Sequence, residues 1–388
     1  MVKKAVVLKQ NYGECLSLFL QPISSATLAD SYKPQQLGYL IRKHTEYELF
    51  PDLEDVKIAF FCIENSQQKS DDFRKHFYAL YSGNWHFPIA DLGNLIQSHS
   101  ASDTYFAIKE LVSTLLKKQI IPMVIGGEHH FTYGLYRAFD ALEQMVNLVS
   151  VDARFDFGNE QELFAENSYM SRILSEDPVN LNDFTNLGYQ SFYNAQEELD
   201  LMDKMFFEAH RLGNLVADMT LAEPAMRDAD IVSIDMTSIQ AKDVGTATGN
   251  VNGFSNREIC TLARYAGISS NVQVFGVFDV PPTELAYQLL AQMMWYFIEG
   301  YNFRVRELPV LNDENYTKYT VLIDDLEVTF FKSNHTGRWW LKPYTESSKR
   351  GTNHLPLGLI PCNPTDYTNA LKGDIPEKWW KVYRKSIL

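Results

Sequence analysis

The sequence predicts an α/β protein of three layers, with a mainly parallel sheet covered by helices on both faces and a small C-terminal appendage containing a β-hairpin. Three observations predict it. Short runs that are apolar at nearly every position, such as "VKIAFFCI" and "NVQVFGVFD", alternate with longer segments whose apolar residues recur at helical spacing. A strand that is apolar on both sides is buried on both sides, the condition of a parallel sheet. After about Tyr301 the alternation stops, and "YTVLIDDLEVTFFKSNHTGRWWLKP" reads instead as a β-hairpin with a turn at Ser333–Gly337.

The elements follow in order. The first 55 residues are mixed, with "QPISSATLADSYKPQQ" rich in turn formers, and read as an N-terminal segment packed on the main domain. "VKIAFFCI" is a buried strand and "DDFRKHFYALYSG" a helix; "FPIADLG" is a short strand and "SDTYFAIKELVSTLLKK" a helix. "IIPMVIGG" is a strand, "FTYGLYRAFDALEQM" a helix and "VNLVSVD" the next strand. Then come "EELDLMDKMFFEAHRLG" as helix, "NLVAD" and "ADIVSID" as strands, and "SNREICTLARYAG" as a helix with a glycine stop. "NVQVFGVFD" is the last strand of the series and "TELAYQLLAQMMWYFIEG" its closing helix. Residues 56–305 thus form the α/β domain and residues 306–388 the appendage, whose tail "IPEKWWKVYRKSIL" is an aromatic, basic helix or turn.

Composition removes several function classes. A net charge of −14 over 388 residues argues against unaided binding to nucleic-acid backbones, which needs clustered Lys and Arg. No apolar run approaches the ~18 residues of a membrane span, and the N-terminal stretch has no long apolar core of a secretory signal. Cys15, Cys62, Cys260 and Cys362 form no C-x-x-C pair and read as small buried hydrophobes in a reducing compartment, which places the protein in the cytoplasm.

In parallel α/β sheets ligands bind beyond the carboxyl ends of the strands. After "IIPMVI" come Gly126, Gly127, Glu128, His129 and His130; after "VNLVSV" come Asp152, Arg154 and Asp156; after "DIVSI" come Asp235 and Thr237; after "NVQVFGVF" comes Asp279. A single strand-end Asp is usually a cap or turn former, and a single His a satisfied core residue. Recurrence at four strand ends is what points to a site. Three carboxylates and one imidazole form a hard, oxygen-rich ligand set that suits Mn²⁺ or Mg²⁺ better than a structural zinc cage.

On these residues the chain resembles the arginase, agmatinase and formimidoylglutamase superfamily, the ureohydrolases. In that family a GG-D-H-S motif, a D-A-H-x-D motif and a D-x-D-x-x-D motif follow three strands and bind two manganese ions. Here the three positions read "GGEHH", "DARFD" and "DMTSIQ". "GTATGNVNGFSNREICTLARYAG" is similar to the family's G-V-S-A-P…G-F-S…E segment, closest to the formimidoylglutamase branch, and "FDVPP" stands where the family often has E-V-N-P. The resemblance runs from roughly Val56 to Gly300 and implies an arginase-like fold and hydrolysis of linear amidine or guanidine C–N bonds.

Carried over one at a time, His129, Asp152, Asp156 and Asp235 match the ligands of one of the two metals. The two ligands peculiar to the second metal are replaced by Arg154 and Thr237, Asp279 replaces a glutamate that contacts substrate in relatives, and "ENSYM" replaces a serine- and glycine-rich loop. The resemblance therefore implies one Mn²⁺ per chain with the second site lost. Glu128 replaces an aspartate and reads as a hydrogen-bonding group behind the ligands. One divalent ion and the Arg154 guanidinium would neutralise the three carboxylates, so Arg154 is expected to occupy the space of the second ion. There it would oppose a cationic substrate, at a cost of roughly 4 kcal/mol for like charges ~4 Å apart at an effective dielectric of about 20.

Three functions fit these residues: a hydrolase with one metal and an altered substrate, a non-catalytic descendant that uses the pocket for binding or regulation, and a two-manganese formimidoylglutamase with a rearranged second site. A small-molecule ligand is compatible with each. Trp339, Trp340, Trp379 and Trp380 form two adjacent pairs in the appendage, which either dock it on the main domain or present a surface for a protein partner or another copy of the chain. Relatives commonly form trimers or hexamers, so the appendage could cap or replace that surface.

Overall fold

A computed structural model of the chain describes residues 16–28, 31–47, 50–65, 70–142, 144–158, 168–307, 309, 314–343 and 358–387. The central sheet holds β1 (Leu20–Gln21), β2 (Arg42–Lys43), β3 (Ile58–Glu64), β4 (Ile89–Ile96), β5 (Ile121–Ile125), β6 (Val146–Val151), β7 (Leu181–Tyr189), β8 (Glu208–Arg211), β9 (Ile231–Asp235) and β10 (Val274–Phe278). Their order is β1-β4-β3-β5-β10-β9-β6-β7-β8, with β2 beside β4. Only β1 runs antiparallel to its neighbour; the other pairings are parallel. The inner strands β3, β5, β9 and β10 are buried at every position, as their unbroken apolar runs require.

Helices cover both faces. One core cluster packs the Asp71–Ala79, Asn256–Ile268 and Glu284–Asn302 helices on one face; a second packs Ala101–Lys117, Thr132–Arg137 and Tyr169–Ser175 on the other. The architecture is the three-layer one read from the sequence. The Asn256–Ile268 helix does not stop at its glycine. Gly267 lies inside it, and a Cβ there would stand 2.2 Å from the Phe297 carbonyl oxygen, so this glycine lets two helix backbones touch.

Four further elements differ from the sequence reading. "NLVAD" lies largely in the short helix Leu212–Ala217, and the edge strand β8 comes from "EAHR", inside a segment read as helix. β7 has no counterpart in the reading, because its polar residues hide it between "VNLVSVD" and the next helix. The "FTYGLYRAFDALEQM" helix ends early at Arg137.

The C-terminal region is a four-stranded antiparallel sheet of β11 (Tyr316–Ile323), β12 (Leu326–Ser333), β13 (Trp339–Leu341) and β14 (Ile360–Cys362), followed by helices Pro364–Ala370 and Glu377–Ile387. Its tight hairpin turns at Asp324–Asp325, where Asp324 has a φ of 50°, while the Ser333–Gly337 turn joins β12 to β13. Trp339 and Trp340 are both buried. Trp379 is buried too, whereas Trp380, its helix neighbour, is 39% exposed. Among the described residues no helix is long and apolar enough to cross a membrane. Cys62, Cys260 and Cys362 are buried free thiols; Cys15 lies outside the described residues.

Candidate metal centre

Four strands adjacent in the sheet, β5, β10, β9 and β6, deliver His129, Asp279, Asp235 and Asp152 to one edge. β5 ends at Ile125, and the chain turns through Gly126 and Gly127, with φ of 80° and 73°. A Cβ on Gly126 would lie 2.9 Å from the Ile63 carbonyl oxygen, and one on Gly127 2.6 Å from the Phe131 ring, so both places demand glycine. The turn then enters a single 3₁₀ turn, His129–Phe131.

Within the cluster, His129, Asp152 and Asp235 each offer one ligand atom, and these atoms lie within 4.8 Å of one another. His129 Nδ1 stands 3.1 Å from Asp152 Oδ2 and 3.2 Å from Asp156 Oδ2. All four residues matched to one metal therefore meet at this edge. On the other side of the ring, His129 Nε2 lies 3.0 Å from Ser233 Oγ, which lies 2.5 Å from Thr132 Oγ1. The main-chain N–H of His129 donates to Asp279 Oδ2 at 2.8 Å. Tyr169 closes one side, its ring 5.2 Å from the imidazole at 76°.

The electrostatics are those of a charge cluster held out of water. Burial, then the neighbouring Asp156 carboxylate, pushes Asp152 up to about 6. Burial and Asp152 push Asp235 up to about 6, and burial and Asp235 do the same for Asp279. His129 moves the other way from what burial alone would do: Tyr169 and the hydrogen-bond acceptors Asp152 and Asp156 hold its imidazole well above the usual histidine range. Asp156 and Asp279 have φ of 56° and 50°, a left-handed conformation that non-glycine residues adopt at a cost and that recurs at functional sites.

The cluster fits a divalent cation. Asp152 Oδ2 is buried and has no aligned hydrogen-bond partner among the described residues, although it faces the imidazole. A buried carboxylate oxygen beside an imidazole nitrogen and further carboxylates is a donor set that a divalent cation would complete. His129, Asp152, Asp156 and Asp235 would hold the ion.

Arg154 does not occupy the space of a second ion. Its side chain is exposed, stacks on the Tyr193 ring at 4.8 Å and donates from Nη1 to the Tyr193 carbonyl oxygen at 3.1 Å. Only its main-chain N–H turns inward, to Asp152 Oδ1 at 2.9 Å. A long planar cation gains more from an aromatic face and a carbonyl at the rim than from entering a buried ring of carboxylates. With it outside, the opposition to a cationic substrate expected from the sequence has no basis. Thr237 has turned onto Asp235, and Glu128 accepts from His130 Nε2 at 2.9 Å rather than facing the ion position. His130 Nδ1 meets the Tyr105 hydroxyl at 2.7 Å and so points away from the cluster. Glu166 lies outside the described residues.

Ser233, Thr132 and Tyr169 were missed in the sequence. Ser233 had a signal: it is the lone polar residue of "IVSID" before the ligand, two places from Asp235 and therefore on the same face of the strand.

A mainly parallel α/β sheet with a buried His–Asp cluster at its carboxyl edge places that cluster where such sheets present their ligand sites. The Arginase family model matches residues 64–297, more than half of the chain, and the chain belongs to that family. Curated relatives include an uncharacterized 32.2 kDa protein of Methanothermus fervidus, 31% identical over 127 residues covering 32% of this chain and 43% of that protein. The formimidoylglutamase of Lysinibacillus sphaericus is 28% identical over 121 residues, covering 30% of this chain and 37% of that enzyme. These matches span less than half of either relative's own length. The formiminoglutamase of Trypanosoma cruzi, solved with Mn²⁺, superposes with a TM-score of 0.60 at 18% identity, covering 70% of this chain and 99% of that one. The formimidoylglutamase of Bacillus subtilis gives a TM-score of 0.61 at 16% identity, covering 73% and 97%. These structures share the fold and leave part of this chain uncovered.

Proposed function

We propose that the chain is a hydrolase of the C–N bond of linear amidines that works with a single Mn²⁺ held by His129, Asp152, Asp156 and Asp235. One observation carries this reading: His129, Asp152 and Asp235 offer ligand atoms within 4.8 Å of one another and Asp156 stands 3.2 Å from His129 Nδ1, while the two side chains at the positions peculiar to the other metal are replaced and turned elsewhere. A bound divalent ion lowers the pKa of water towards neutrality and so supplies a nucleophile.

The chain's own residues supply the rest. Asp279, fixed by the His129 main chain, provides a carboxylate for the N–H groups of an amidinium. Tyr169 limits water on one side of the imidazole. The formimidoylglutamases among its relatives make a formimino amino acid the first substrate to try.

The test is metal analysis of protein purified with manganese, together with assays for formamide, urea and ammonia released from formiminoglutamate, arginine, agmatine and 4-guanidinobutyrate. One ion per chain and turnover of an amidine support the reading. Two ions, or none, would end it. The non-catalytic alternative draws support from the same replacement of Thr237 and Arg154, and ligand binding with one ion but no turnover of any substrate would establish it.

A further inference from the structure

We infer that the cavity between the amino ends of β6, β7 and β8 and the C-terminal helix Glu377–Ile387 is a second ligand site, built for a small organic ammonium ion with an apolar body, and that Asp228 and Thr185 receive the ammonium.

The cavity measures about 560 Å³, within the range of small-molecule sites. It lies at the other end of the strands from the metal centre: Asn147 and Val149 of β6 line it, whereas Asp152 follows the carboxyl end of the same strand. Strand register sets its floor. Val149 pairs with Thr185 and Thr185 with Glu208, while Asn147 pairs with Asp183. Residues paired across neighbouring strands share a face of the sheet, so these five side chains form one surface. The roof is one stripe of the C-terminal helix: Lys378, Lys381, Val382 and Lys385 recur at helical spacing and all line the cavity. Phe206 and Ile360 add apolar wall to that of Val149 and Val382.

Three lysines meet three carboxylates here, and their pairing leaves one carboxylate over. Lys378 Nζ lies 3.0 Å from Glu208 Oε2, which His210 Nε2 also approaches at 3.3 Å. Lys385 Nζ lies 2.5 Å from Asp183 Oδ1. Lys381 donates to the Phe207 carbonyl at 2.7 Å and lies 3.3 Å from Glu377. Asp228, the last residue of the Glu223–Asp228 helix, lines the cavity as an exposed side chain with no ion pair or side-chain hydrogen bond among the described residues. The low-dielectric walls around it, then the Asp183 carboxylate, push its carboxyl up to about 6. The charge that this cavity lacks is therefore positive.

Thr185 is an independent sign of a ligand. It is 5% exposed and lines the cavity, yet its hydroxyl has no hydrogen-bond partner among the described residues. Buried polar groups are normally paired, so an open hydroxyl on the cavity floor calls for a polar group from the ligand. A carboxylate and a hydroxyl oxygen accept the N–H donors of an ammonium, which has no lone pair to place. An anion would have to draw Lys378 and Lys385 away from Glu208 and Asp183 and would then face Asp228 with the wrong sign.

The experiment uses the full-length Mn²⁺-loaded protein and isothermal titration calorimetry with three probes of one shape and different charge: cyclohexylmethylamine, cyclohexylmethanol and cyclohexanecarboxylate. We expect the amine to bind with a Kd below about 1 mM, a range open to a ligand of about eight non-hydrogen atoms. The alcohol and the carboxylate should bind at least tenfold more weakly. Asp228→Asn should weaken the amine at least tenfold, and the near-isosteric Thr185→Val should weaken it about threefold or more, each with manganese stoichiometry unchanged. Asp279→Asn, at the opposite edge of the sheet, should leave the amine's affinity as it is.

No amine binding at millimolar concentration, equal affinity for the three probes, or tighter binding of the carboxylate overturns the inference. So does amine binding that survives Asp228→Asn and is lost with Asp279→Asn, which would put the amine at the metal centre. Amine binding that depends on Asp228 in a protein that turns over no amidine keeps this site and removes the hydrolase reading alone.

Discussion

The carboxylate of Asp235 is held twice by Thr237: the main-chain N–H donates to Oδ1 at 2.7 Å, and the hydroxyl donates to Oδ2 at 2.6 Å. A residue that would carry a second-ion ligand thus spends its side chain capping the first ion's ligand. Arg154 lies outside the cluster as well, so on the proposed one-ion reading neither position supplies a second-ion ligand. Introducing Thr237→Asp and Arg154→His together should raise bound manganese from about one ion per chain to two. Metal analysis after dialysis against manganese checks it. A stoichiometry that stays at one would show that the family correspondence of these two positions is wrong.

The raised carboxyl groups make a pH prediction whose sign is fixed. Asp152 and Asp235 stand at about 6 in the metal-free fold, above the ~3.9 of an unfolded Asp. Their folded form therefore holds protons that the unfolded chain has released between about pH 4 and 6. Stability contributed by protonation is present at the acid end of that window and lost as pH rises through it, on the order of 3 kcal/mol for one such group. A divalent cation compensates the ionised carboxylates, and it must also displace the proton from His129. Manganese should hence raise the melting temperature strongly at pH 7.5 and little at pH 5, whereas the chelated protein should melt lower at pH 7.5 than at pH 5. Thermal scans with chelator and with manganese at both values decide it. An equal manganese shift at the two would count against these residues as ligands.

Ser233 is the group behind the ligand. Its Oγ meets His129 Nε2 at 3.0 Å, which fixes the ring so that Nδ1 faces Asp152 and Asp156. Partners of this kind commonly contribute 10–100-fold to metal affinity. Ser233→Ala should weaken manganese binding by about that factor in a metal titration while leaving the stoichiometry at one. Affinity within twofold of wild type would mean that the ring is oriented by Tyr169 and Thr132 without the serine.

The sheet was legible because burial on both faces leaves an unbroken apolar run, as in β3, β5, β9 and β10. The strands that escaped within residues 56–305, β7 and β8, are the ones with polar residues: Asn182, Asp183, Glu208 and His210 face the C-terminal region or solvent, and their pattern is neither alternating nor apolar. The members of the His–Asp cluster were legible for a similar reason, since each follows a readable strand. The position of the Arg154 head was not. Charge balance among four residues favoured the buried berth, but the competitor was Tyr193, some 40 residues on, and nothing in "DARFD" announces an aromatic face at that distance. Sequence adjacency gave the composition of the cluster, and tertiary contact decided which members enter it.

Arg227 ties the appendage to the amino edge of the central sheet, opposite the metal centre, because it precedes β9. Its Nη2 donates to the carbonyls of Trp339 at 3.1 Å and Cys362 at 3.4 Å and lies 3.3 Å from Glu223 Oε2, while the guanidinium rests 4.6 Å over the Trp340 ring. Lys378 pairs with Glu208 at 3.0 Å and Lys385 with Asp183 at 2.5 Å along the same edge. Two charge-assisted hydrogen bonds and a buried cation–π contact together contribute about 2–4 kcal/mol. Arg227→Ala should lower the unfolding free energy by that amount in urea titrations. Manganese stoichiometry should not change, since Arg227 and the ligands occupy opposite edges. A loss below about 1 kcal/mol would mean that the lysine pairs and the buried tryptophans dock the appendage without it, and a loss of metal would mean that the two edges are coupled through β9.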